Sequence, residues 1–180
     1  FGHSAKIKEI MEIAKKHDLY VIEDVAEALG ASVDGKMLGS FGHISCFSFF
    51  ANKIITCGEG GMVLTDDKKI FQKLASLREY GSQMDEKYLY SDIGFNYRMT
   101  NLQASIGAAQ LEKINDIIEI RKLQESYYEK CFGLSDTFSF RPKQPWCNTV
   151  HWLMTLKFNH PNLRDIMIDK MYESGIETRK

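Results

Sequence analysis

The chain has 180 residues, 44% hydrophobic and 26% charged, enough apolar material for a core and a length that suits one ordinary domain, or one and part of another. Its formal net charge of −1 offers no basic field for nucleic acid or an anionic membrane. No apolar run approaches the roughly 20 residues of a membrane helix, and no charged-then-apolar leader is present, so a cytoplasmic protein is expected. Ile7, Ile10, Met11 and Ala14 recur at helical spacing among lysines and glutamates, which predicts a first helix. Leu19 to Ile22 reads as a short buried strand closed by Glu23 and Asp24. The turn signals Asp34-Gly35, Gly39 and Gly42 predict a hairpin-like excursion over 31–42. Ile44 to Phe50 reads as a second buried strand and Gly61 to Thr65 as a third. Asp66 and Asp67 then cap a helix through Ile70, Leu74 and Leu77.

Residues 82–96 are polar and tyrosine-rich, which predicts an ordered loop. Thr100 or Asn101 caps a long helix with Leu102, Ile106, Ala109, Leu111, Ile114 and Ile118 on its apolar face. That helix continues to about Cys131 with a bend near Asn115. The pattern breaks over 133–148, Val150 to Phe158 reads as a strand, and Asn159-His160-Pro161 opens a helix ending at Gly175. This order argues for an α/β layer with a second unit beginning near residue 135. Cys46, Cys57, Cys131 and Cys147 lie far apart without metal-ligand spacing, so they are expected to be reduced and mostly packed, with no metal site.

The main chemical signal is the pairing of Asp24 with Lys53. Lys53 follows the aromatic run Phe47-Ser48-Phe49-Phe50 and precedes Gly58-Glu59-Gly60-Gly61. Burial among aromatics disfavours a lysine's charge and favours a nucleophilic amine, and the glycines would let backbone approach a ligand closely. The alternative is an ordinary surface lysine. A carboxylate at the C-terminal end of a strand lies where α/β proteins build sites, although Asp24 could equally cap the following turn. Together, an acid at a strand end and a lysine on a later strand-loop suit pyridoxal phosphate. The Ser48 hydroxyl could bind a phosphate or satisfy a core carbonyl. No P-loop is present, and His3, His17, His43, His151 and His160 are scattered.

Four stretches stand in an order that resembles one family. They are Val21-Ile-Glu-Asp-Val-Ala-Glu-Ala-Leu-Gly-Ala31, Gly39-Ser-Phe-Gly-His-Ile-Ser-Cys-Phe-Ser-Phe-Phe-Ala-Asn-Lys53, Thr56-Cys-Gly-Glu-Gly-Gly-Met62 and Gly94-Phe-Asn-Tyr-Arg-Met-Thr-Asn101. Together they resemble the pyridoxal-phosphate sugar aminotransferases of the DegT/StrS type, across essentially the whole chain. The resemblance implies part of a fold-type-I large domain over 1–134, with a mainly parallel sheet, helices and the long connecting helix. Residues 135–180 would be the start of a small α+β domain. It also implies that members begin upstream of Phe1 and continue past Lys180, so the chain is expected to be a fragment, inactive alone, with exposed apolar surface.

The roles follow from the same resemblance. Lys53 matches the lysine that links covalently to the cofactor and then carries a proton, and Asp24 the acid paired with its pyridine nitrogen. Ser48 matches a phosphate ligand, Glu27 a residue beside the cofactor ring, and Asn96 an asparagine reaching the partner subunit's phosphate. Arg98 is a further candidate for substrate phosphate or carboxylate. A homodimer with a shared site is implied, acting on a nucleotide-linked 4-keto-6-deoxy sugar with glutamate as amino donor. Glu27 in its context resembles the enzymes that make GDP-linked perosamine, although other nucleotide-sugar 4-aminotransferases read similarly. The rivals are a 3-aminotransferase, a dehydratase (family dehydratases carry histidine at the Lys53 position) and a non-catalytic binding or regulatory relative.

Overall fold

The computed structural model describes residues 1–82 and 88–180, so part of the expected 82–96 loop lies outside the described residues. The elements run α1 (Ile7–Lys16), β1 (Ile22–Asp24), β2 (Ser32–Val33), β3 (Lys36–Met37), β4 (Ile44–Ser48), β5 (Gly61–Leu64) and α2 (Lys68–Arg78). They continue with α3 (Asn101–Leu111), α4 (Ile114–Phe132), β6 (Phe138–Phe140), β7 (Cys147–Asn148), β8 (Leu156–Phe158) and α5 (Pro161–Glu173). Among the described residues, no helix is long and apolar enough to cross a membrane.

The sheet that positions the site has the order β1-β4-β5. β1 runs parallel to β4, with Asp24 opposite Cys46, whereas β4 runs antiparallel to β5, with Ser48 opposite Gly61. The described sheet is therefore mixed, where the resemblance implied a mainly parallel one. The reason is the connection: residues 49–60 contain no helix to carry the chain back across the sheet, so it returns antiparallel. The strands are also less buried than their apolar content implies. Leu19, Tyr20 and Ile22 are exposed, as is every residue of β5, because no second layer among the described residues covers them. The expected exposed apolar surface is thus present at this sheet.

The 31–42 excursion forms as expected. β2 and β3 pair antiparallel across Asp34 and Gly35, both at positive φ (48° and 78°), the backbone that a two-residue hairpin turn requires. β7 joins the other edge of β2, pairing Asn148 with Ser32. β6 and β8 form a separate antiparallel pair against which α5 packs.

Helix ends follow local chemistry. The Asp67 side chain accepts bonds from the Lys69 and Ile70 amides (2.7 and 2.9 Å), which start α2 and hold its carboxyl below the usual carboxylate range. Thr100 and Gln103 form a reciprocal capping box at the head of α3. The predicted single long helix breaks at Glu112–Lys113, slightly before the expected bend. There the Lys113 amide bonds back only three residues, to the Gln110 carbonyl, and the Gln110 side chain turns to another segment.

The core centres on Val25, Ala28, Ala31, Phe49, Ile54, Ile55, Val150 and Trp152. The predicted strand over Val150 to Phe158 forms only in its last three residues. Val150, His151 and Trp152 are instead an irregular buried segment, in which Val150 and Trp152 fill the core.

Candidate functional site

Consecutive residues at the end of β1 point to opposite faces, and Glu23 and Asp24 use this. Asp24 is exposed, with Oδ1 accepting the Ala26 amide at 3.0 Å. It caps the turn and still presents its carboxylate to solvent, so the two readings of this residue are compatible. Glu23 is buried and accepts the amides of Gly39, Phe41 and Gly42 at 2.8, 2.7 and 2.6 Å. Its carboxylate therefore locks the segment leading into β4 to the end of β1. Sequence reasoning treated Glu23 only as a strand terminator. The signal was present: an acid on the buried face of the strand needs donors, and 39–42 is a glycine-rich turn with free amides.

β4 ends beside β1, so Ser48 and Asp24 share the C-terminal edge of a parallel strand pair. The Ser48 oxygen accepts the Phe50 amide at 3.4 Å, which leaves its proton available. Beyond it, residues 49–57 close into a loop: the Cys57 amide and the Thr56 hydroxyl both donate to the Phe49 carbonyl at 3.0 Å. Ile54 and Ile55 turn inward to the core. Gln110 of α3 bonds both backbone groups of Thr56, accepting from its amide at 3.1 Å and donating to its carbonyl at 2.6 Å. The loop that carries Lys53 is consequently fixed from three directions.

The Lys53 side chain is 13% exposed, and among the described residues its Nζ has two partners, Glu27 Oε1 at 3.9 Å and the ring face of Trp152 at 4.3 Å from the centroid. The expected lysine among neighbouring aromatics is instead a lysine with a carboxylate and one distant indole, both attractive to a cation. Trp152 also donates its indole N–H to the Asn52 carbonyl at 2.8 Å. This residue was not anticipated, because it lies about one hundred positions from Lys53 and no local spacing links them. Asn52 Oδ1 is buried and has no partner among the described residues.

Two glycines of the cluster are required by packing within the chain. A Cβ at Gly61 would come within 2.8 Å of the Phe47 carbonyl oxygen, and one at Gly60 within 2.6 Å of Cys57 Sγ. Gly60 and Gly61 permit close packing of β5 and Cys57, while a Cβ at Gly58 would meet nothing within 4 Å. Burial pushes the Cys57 thiol up, in keeping with its expected packing role.

Asn96 and Arg98 belong to another cluster. Both are exposed; Asn96 makes an isolated bridge with Glu79, and Arg98 Nη1 pairs with Glu79 Oε1 at 2.7 Å. Among the described residues, no hydrogen bond or ion pair joins either one to Asp24, Glu27, Ser48 or Lys53.

The similarity of this chain to known proteins extends over its whole length. The GDP-perosamine synthase of Caulobacter vibrioides is 39% identical over 182 residues, covering 99% of this chain and 49% of that relative. The S. venezuelae aminotransferase DesV, solved in complex with a ketimine intermediate, is 28% identical with a TM-score of 0.88, over 98% of this chain and 47% of that one. The E. coli GDP-4-keto-6-deoxy-D-mannose-3-dehydratase, solved with bound hydrated PLP, has the same fold (24% identity, TM-score 0.87, 99% and 50% coverage). The chain spans about half the length of the curated relatives it matches. A model of the DegT/DnrJ/EryC1/StrS aminotransferase family matches residues 1–180, and the chain belongs to that pyridoxal-phosphate-dependent family.

Proposed function

We propose that the complete protein transfers an amino group from glutamate to a nucleotide-linked 4-keto-6-deoxy sugar. The observation that carries this reading is the Lys53 amine, held by Glu27 and Trp152 on a loop leaving the strand edge that bears Asp24 and Ser48. The chemistry of the donor set fits the family's cofactor: an open carboxylate, a hydroxyl with a free proton and a nearly buried amine leave two adjacent strands in one direction. Pyridoxal phosphate, when bound, supplies an aldehyde for amine exchange and a ring that withdraws electrons.

Asp24 would hold the ring nitrogen, because an ionised carboxylate there favours a protonated pyridine. Ser48 would donate to the phosphate, and Glu27 would lie beside the ring while orienting Lys53. Lys53 would move a proton at its Nζ, and its short loop limits where that atom can reach. The exposed Asn96 supports a shared site in a homodimer, in which it would bind the phosphate held by the partner subunit, with Arg98 helping to hold substrate phosphate or carboxylate. Residues 1–134 would form the later part of the large domain and 135–180 the start of the small one. A lysine at position 53 supports amination over dehydration, and the similarity to a GDP-perosamine synthase supports a GDP-linked sugar.

The test is borohydride trapping of the complete protein with pyridoxal phosphate, followed by peptide mass mapping and product analysis. The expected result is a selective adduct on Lys53 and a 4-amino sugar product. Lys53→Ala should lose both adduct and transamination, and unchanged turnover in that variant overturns the assignment.

A further inference from the structure

We infer that Trp152 is a positioning residue for Lys53, an inference that rests on the reading of Lys53 as the cofactor lysine. Two independent contacts support it. The ring face lies 4.3 Å from Lys53 Nζ, within cation–π range, and the indole N–H bonds the carbonyl of Asn52, the residue immediately before the lysine, at 2.8 Å. One contact locates the tip of the lysine side chain and the other locates its backbone.

The tryptophan is itself fixed. It is 6% exposed and packed in the main core, and two residues before it the Val150 amide bonds the Gly2 carbonyl at 3.0 Å. A ring held in this way cannot follow the lysine as it moves, so it acts as a seat to which the amine returns. A lysine side chain has four rotatable carbon–carbon bonds and loses much rotamer freedom when held in one place. A preformed seat removes that search from each turnover. Its attraction acts on the protonated amine and weakens once the proton is handed on, so it holds the charged amine without trapping the neutral one. Trp152 lies in the segment between β7 and β8, so the lysine is coupled to the 135–180 stretch proposed above as the start of the second unit.

Two variants of the complete protein test the role. Trp152→Phe keeps an aromatic face and loses the indole N–H; Trp152→Leu loses both. The measurements are the rate at which borohydride-fixable label accumulates on Lys53, and kcat and KM for each substrate. Both rates should fall about threefold in Trp152→Phe and about tenfold in Trp152→Leu, with KM within about twofold, since positioning acts on the chemical step. Trp152→Phe is the milder change and keeps the test decisive if Trp152→Leu does not fold. Wild-type kcat and labelling rate in Trp152→Phe overturn the role, as does a loss carried by KM alone. Absence of label on Lys53 in the wild-type protein overturns the cofactor reading itself, and this inference with it. A labelled Lys53 with unaltered rates in the variants overturns only the part assigned to Trp152.

Discussion

Between Phe49 and Cys57 the chain closes on itself, buries Ile54 and Ile55, and takes side-chain bonds from Gln110 and Trp152. The described residues between Tyr80 and Met99 are held differently. Their backbone bonds back to the end of α2, through Tyr80 to Phe95 and Tyr97 to Arg78, while Ile93, Phe95 and Tyr97 point outward. Phe95 and Tyr97 stack on each other with centroids 5.0 Å apart, but both remain exposed. Both segments carry residues of the proposed site. The first is set by this chain's own core, whereas the described side chains of the second are largely exposed.

The sharpest way to break this contrast is to remove one buried side chain from the loop. Ile55 is 2% exposed and Ile93 is 90% exposed. Ile55→Ala should destabilise the chain by about 2–5 kcal/mol, the range for large-to-small core changes. Ile93→Ala should stay within about 0.5 kcal/mol, as surface changes usually do. Urea unfolding midpoints compare the two, and similar losses would end the distinction.

The contrast also explains what could be read from sequence. The Asp34-Gly35 turn, the Asp67 cap, the Thr100 cap and the end of the last helix at Gly175 depend on neighbours within a few residues, and all were legible. The placement of Asp24 at a strand end was legible for the same reason, whereas Ser48, inside the strand expected to run to Phe50, is in fact the last residue of β4. The Trp152 contact, the Gln110 clasp on Thr56 and the return of β7 to β2 join residues 54 to 116 positions apart. No periodicity records such pairings, which arise only when distant apolar segments share one core. The burial of the strands was misread because a run of apolar residues says what could be covered, not what covers it.

Gln110 offers a smaller perturbation. Gln110→Ala leaves the Thr56 amide and carbonyl, both part-buried, without their partner. An unsatisfied backbone pair of this kind should cost about 1–3 kcal/mol in unfolding free energy. It should also slow adduct formation at Lys53, three residues away, whereas Thr100→Ala at the exposed head of α3 should lower stability by about 1 kcal/mol and leave adduct formation unchanged. Equal effects on adduct formation would mean that α3 as a whole, not the clasp, holds the loop.

A pH dependence is expected beside Trp152. His151 is buried, and burial is the main cause holding its pKa below the ordinary value of 6.5, with Arg121, Arg141 and Lys143 acting in the same sense. Glu125, whose Oε1 lies 4.0 Å from the ring, opposes them. The unfolded chain therefore binds this proton at higher pH than the folded one. The contribution to stability is complete above the ordinary value and is lost as pH falls from there toward the folded one. Urea midpoints taken between about pH 7.5 and 5.5 should fall, and His151→Asn should flatten that slope.

The smallest effect is expected at Glu79, where the Arg98 pair and the Asn96 bridge converge at the end of α2. Both side chains are more than one-third exposed, so solvent and salt screen the 2.7 Å pair. Glu79→Gln keeps the size of the side chain and removes the charge, and should change stability by about 0–1 kcal/mol. Any such change should shrink as salt is raised, because its source is a screened Coulomb attraction. In the complete protein the same variant frees Arg98, so an effect on substrate KM larger than its effect on unfolding would place Arg98 at the substrate. A loss of stability comparable to that of Ile55→Ala would instead make this link as firmly held as the lysine loop, and the contrast between the two segments would fail.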